Sequence, residues 1–112
     1  MLFTRDKEKT MTTEQSILKK RDAKVMPHLE QYAPVWLVDQ IVIPDDESVQ
    51  FNVIFQHHLY GWVNRRYRYD AFNDVLYHKG QTLVSEEEAL AVQESSPWIS
   101  ARVTDIPNAY GG

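Results

Sequence analysis

Four histidines and one run of interleaved cations and aromatics are the residues of this 112-residue chain best suited to chemistry. An imidazole exchanges protons near neutral pH and is a common nitrogen ligand for metals. His57 and His58 are adjacent, and neighbours in an extended chain point to opposite faces, so one ion is not expected to be reached by both. The best arrangement for a metal or acid/base centre pairs one of them with His78 and a carboxylate such as Asp74. No H-x-x-x-H or H-E-x-x-H spacing supports it. The plainer expectation is histidines at a strand end and on a sheet face, hydrogen-bonded to backbone or water.

The run Trp62-Val63-Asn64-Arg65-Arg66-Tyr67-Arg68-Tyr69 mixes rings with arginines, as single-strand nucleic-acid platforms do when bases stack on rings and guanidinium groups meet phosphates. Strand alternation puts Trp62, Asn64, Arg66 and Arg68 on one face and Val63, Arg65, Tyr67 and Tyr69 on the other, which partly separates cations from rings. The run also lacks the glycines of the RNP pattern. An ordinary strand, with tyrosines in the core and Arg66 and Arg68 covering the outside with their aliphatic stems, accounts for the same residues. Glu86-Glu87-Glu88 does not make a centre, because consecutive helical residues diverge by about 100°. Ser85, Ser95, Ser96 and Ser100 show no nucleophile elbow. The four glycines are too dispersed to cradle a phosphate. With no cysteine, a disulfide framework, thiolate metal sites and thiol catalysis are excluded.

Positioning these residues falls to a small set of elements. Residues 1–12 are polar, mixed in charge and aperiodic, and are expected to form a mobile arm. Thr12 or Thr13 suits an N-cap, and good helix formers follow to Lys24. Leu18, Val25, Leu29 and Tyr32 share one helical face. Pro27 disfavours the helical conformation at Met26 and removes a donor, so two short helices meeting near Met26 are expected, with Pro27 opening the second. The apolar stretch 35–43 lies between Pro34 and Pro44 and reads as a strand buried on both faces, with a short core helix as the alternative. Asp45-Asp46-Glu47-Ser48 is a turn. After it Val49, Phe51, Val53 and Phe55 alternate with mostly polar residues, the clearest strand pattern in the chain.

Gly61 marks a bend, and 62–69 and 75–78 are expected to pair as a hairpin through Asp70-Ala71-Phe72-Asn73-Asp74, ending at Lys79-Gly80. Ser85 and Glu88 form a capping box for a helix over 86–94, which Ser95-Ser96-Pro97 ends. Trp98 and Ile99 are expected to anchor a loosely structured tail over 99–112. The predicted fold class is α+β: a small antiparallel sheet of three to four strands in a single domain over 13–98, with an N-terminal helical segment and a C-terminal helix packed on one face.

Charge and hydropathy bound the function. No apolar stretch approaches the roughly 20 residues of a spanning helix, and the N-terminus lacks an apolar leader, so a cytoplasmic protein is expected. The net charge of −4 is distributed in blocks. Residues 1–24 carry seven basic and four acidic side chains, 25–61 five acids and no Lys or Arg, 62–82 four basic and two acidic, and the remainder one against five. Alternating blocks oppose a uniform polyanion-binding field and make any electrostatic contact local. No catalytic residue, metal ligand or cofactor is assigned. The expected function is non-enzymatic: a protein-binding, regulatory or assembly-accessory protein, with Trp62, Arg65, Arg66, Arg68, His57, His58 and His78 as the candidate surface. The alternatives are a nucleic-acid binder using the three arginines and a small enzyme or ligand-binding module with a histidine acid/base.

Overall fold

A computed structural model describes residues 12–100. The expected arm over 1–12, apart from Thr12, and the tail beyond Ser100 lie outside the described residues. Helix α1 (Thr13–Leu29) is followed by a 3-10 turn (Glu30–Tyr32), strands β1 (Trp36–Ile43), β2 (Ser48–His57), β3 (Gly61–Asp70) and β4 (Val75–Leu83), and helix α2 (Glu86–Val92). The strands form one antiparallel meander in the order β1-β2-β3-β4, the α+β class read from the sequence. No described helix is long and apolar enough to cross a membrane.

Helix α1 starts where its capping residues stand: the Thr12 hydroxyl accepts from the Gln15 amide, and the Gln15 side chain accepts from the Thr12 amide. It then runs unbroken through Pro27 to Leu29, which corrects the expectation of two short helices. Pro27 lies in the last turn, where one donor is lost, and the Glu30 amide closes the end on the Met26 carbonyl. The buried stripe is Ile17, Arg21, Val25 and Leu29, a strict four-residue spacing, with Leu18 and Tyr32 partly buried beside it. This stripe packs with Val49, Phe51, Val53 and Phe55 of β2 and Val63, Tyr67 and Tyr69 of β3.

Strand β1 is an edge strand rather than one buried on both faces, since Val38 is 40% and Ile41 59% exposed. A bulge between Leu37 and Asp39 shifts its register. Strand β4 continues past its expected end: Lys79 and Gly80 form a bulge, with Arg66 opposite Gly80 and Tyr67 opposite His78, and pairing resumes to Leu83. Gly80 meets the need with a φ of +150°. Helix α2 begins at the expected Ser85–Glu88 box but is shorter than expected, ending at Val92. Trp98 and Ile99 anchor the chain as expected. Ile99 exchanges backbone bonds with Val35 and is buried, so core packing extends one residue past the expected domain boundary at 98. The Trp36 indole donates to the Ser95 carbonyl, and its ring lies 6.3 Å from that of Trp62. Trp36 pairs with Ile54, so these rings and Gln93 at the end of α2 meet on the side of the sheet that α1 leaves uncovered.

Candidate functional site

Cross-strand partners share a face, so the register assigns each sequence-derived candidate to one side of the sheet. On the side away from α1, one row runs Asp39, Asn52, Arg66 and Gly80, and the next runs Ile41, Gln50, Arg68 and Tyr77. On the α1 side, Gln40, Phe51, Tyr67 and His78 make one row, and Val53, Arg65 and Gln81 another. The arginine cluster therefore divides between faces, as the alternation predicts.

Arg66 and Arg68 line a groove of about 280 Å³ on the open face with Asp39, Gln50, Asn52 and Lys79. Asp39 is the one carboxylate in that lining, and it accepts from the Gln40 amide. The ion pairs of the described residues, Arg21–Asp22 and Lys24–Asp74, involve neither Arg66, Arg68 nor Lys79. The Arg68 guanidinium lies 5.7 Å from the Tyr77 ring, and Asn52 donates to Asn64. Arg68 also borders a second recess that contains Asp45, Asp46, Glu47 and Asp70. Hydrogen bonds from Asn73 hold the Asp70 carboxyl below its usual range, with Arg68 assisting.

Arg65 faces α1. Its guanidinium lies 4.9 Å from the Phe55 ring and 5.5 Å from the Tyr32 ring, and it donates to Gln81 and to the Tyr67 hydroxyl. The tyrosines of the aromatic run are buried: Tyr67 is 5% and Tyr69 1% exposed. Trp62 is half-buried. Of the rings in that run, Trp62 alone shares the face of Arg66 and Arg68, where it lies beside Trp36, and the exposed ring next to Arg68 is Tyr77 of β4.

The histidines do not converge as the metal or acid/base arrangement required. His57 ends β2 and stacks on Tyr60 at 4.6 Å and on Tyr32 at 5.2 Å. His58 also meets Tyr32, at 5.1 Å, so the two neighbours share one ring rather than opposing faces. The reason is that β2 stops at His57 and the chain turns, which ends the strand alternation. His78 lies against Tyr67. Asp74 is engaged elsewhere, accepting from the Tyr69 hydroxyl at 2.6 Å and from Lys24 at 3.2 Å. Those bonds hold its carboxyl below the usual range, while burial and Asp74 push the Tyr69 hydroxyl well above its own. No group of three His, Asp or Glu side chains among the described residues is placed to hold a metal.

Two residues escaped the sequence reading. Lys79 joins the groove because the bulge turns it in, and only the glycine after it hints at that. Arg21 is 2% exposed in the middle of the α1 core stripe. It lies 4.7 Å from the Phe51 ring and 5.0 Å from Trp98, and it donates to Asp22 and Gln40. The four-residue spacing from Ile17 to Val25 was the available signal. The chain matches no protein-family model, no curated protein and no solved structure.

Proposed function

We propose that this chain is a non-enzymatic binding protein whose open sheet face receives a short acidic segment of a protein partner. The observation that carries the reading is the groove in which Arg66, Arg68 and Lys79 meet one carboxylate and form no ion pair among the described residues. Arginine and lysine side chains held on a rigid sheet keep their donors in place for carboxylates, and the arginine fork can take two oxygens of one carboxylate. Asn52 and Gln50 supply neutral donors and acceptors beside them. A segment of limited length fits this surface better than a nucleic-acid strand does. Beyond Arg68 the acids Asp45, Asp46, Glu47 and Asp70 repel a continuing phosphate backbone, and such mismatches act as selectivity. Tyr67 and Tyr69 of the aromatic run lie in the core and Trp62 is half-buried against Trp36, so little of that run is open to successive base stacking, and Tyr77 is the exposed ring beside Arg68.

Fluorescence anisotropy with a labelled oligoglutamate peptide and a labelled single-stranded oligothymidylate tests this. The expected result is saturable peptide binding that the R66Q/R68Q/K79Q variant loses, with the oligothymidylate bound more weakly. Tighter oligothymidylate binding that falls by about tenfold or more between about 50 and 200 mM salt would establish the nucleic-acid reading instead, because that slope requires several phosphate contacts.

A further inference from the structure

On the other side of the sheet, the end of α1 and the β3–β4 pair enclose a cleft of about 470 Å³. His28, Gln31, Tyr32, Arg65, Tyr67 and His78 line it, and neither Asp nor Glu does. Arg65 is half-buried there, with its guanidinium over the Phe55 and Tyr32 rings. The two donors it has engaged, Nε and Nη1, are spent on the neutral oxygens of Gln81 and Tyr67, and no carboxylate among the described residues pairs with it. A partly desolvated cation gains most from a charged acceptor, and a guanidinium whose Nε and Nη1 are fixed presents Nη2 in a set direction. His28, in the last turn of α1, and His78, on β4, flank the same space. Neutral imidazole donates one N–H and imidazolium two, so both can add hydrogen bonds to an anion.

We propose that this cleft is a binding site for a small oxyanion, a carboxylate or a phosphate, gripped by Arg65 between His28 and His78 with the Tyr32 and Tyr67 rings as its walls. The direction of the histidine titrations agrees with an unneutralised cation at this spot. His78, and His57 beyond Tyr32, are both held below their ordinary pKa, first by burial and then by Arg65.

The site is distinct from the open face, so its test must report location. In the full-length protein, titration with inorganic phosphate followed by proton–nitrogen NMR is expected to shift the His28 and His78 imidazole signals and the Arg65 Nε signal saturably, and to raise the titration midpoint of His78. Arg65→Lys keeps the charge but loses the fork, and His28→Gln alters an exposed residue at the helix end. Each is expected to weaken phosphate about tenfold, the scale of a charged hydrogen bond, while the β3 amide spectrum stays folded. Phenyl phosphate and malonate, run in parallel, separate the two sources: the tighter of them names the oxyanion, and saturable binding of either at this cleft supports the site. Shifts that stay linear with concentration, shifts that map to Arg66, Arg68 and Lys79, or equal affinity in both variants would overturn the proposal.

Discussion

Arg21 stands in a helix stripe that is otherwise apolar, and its surroundings set what replacing it should do. Its guanidinium lies against the Phe51 and Trp98 rings, and its Nη1 is buried without a hydrogen-bond partner. An unpartnered buried donor costs about 1–3 kcal/mol, whereas the stem and the guanidinium plane fill real volume against two rings. Arg21→Met keeps the volume and removes the unpartnered donor, so stability should stay level or rise by about 1 kcal/mol. Arg21→Ala empties the space and should lose about 3 kcal/mol. Urea unfolding of the two variants checks both signs. The histidines give a pH dependence at the same scale. Because His57 and His78 are held below their ordinary value of 6.5 in the folded state, the unfolded chain binds more protons just below that value. Their contribution is therefore complete above about pH 6.5 and lost as the pH falls through their folded titrations. Asp70 and Asp74, held below 3.8, add a second loss at lower pH by the same sign. The urea midpoint of the parent should begin to fall below about pH 6.5, and that of a His57→Gln/His78→Gln variant only near pH 4.

Elements were legible where local chemistry decided them. The Ser85–Glu88 box places the start of α2 because both reciprocal bonds lie within four residues. Ser85→Ala should cost about 1 kcal/mol, read as a lower denaturation midpoint. The alternation of β2 was equally readable, since Val49, Phe51, Val53 and Phe55 face one packed helix. Where tertiary packing overrode local preference, the sequence misled. Pro27 continues α1 because Val25 and Leu29 are both fully buried on the sheet, and that packing outweighs one lost backbone bond. Gly80 looked like a strand end, yet its positive φ serves a bulge in mid-strand. A Cβ there would approach Arg66 Nη2 at 2.5 Å. That flexible side-chain tip can move aside, while the backbone conformation remains unfavourable for any residue with a Cβ. Gly80→Ala should therefore destabilise by about 1–3 kcal/mol, measured by thermal unfolding, and should displace Arg66 from its place in the groove.

At the scale of the whole molecule, one sheet separates two kinds of surface. The α1 side carries the apolar core, and the other carries Arg66, Arg68 and Lys79 among polar neighbours. The candidate surface read from the sequence was therefore two surfaces. Arg65 and His78 belong to the cleft under α1, Arg66 and Arg68 belong to the open groove, and Trp62 packs near Trp36. Periodicity separates the arginines correctly, but it cannot show which face a helix covers, because that depends on contacts distant in sequence. The acidic recess beside Arg68 has the same origin: residues 45–47 and Asp70 come together when the Ala71 amide bonds to the Glu47 carbonyl. Backbone amide shifts mapped during titration with an oligoglutamate peptide test directly whether the open face takes a short acidic segment, as proposed. Saturable shifts centred on Asn52, Arg66, Arg68 and Lys79 that disappear in the triple glutamine variant are expected. Shifts centred on α1 or α2, or none at all in the parent, would contradict the proposal.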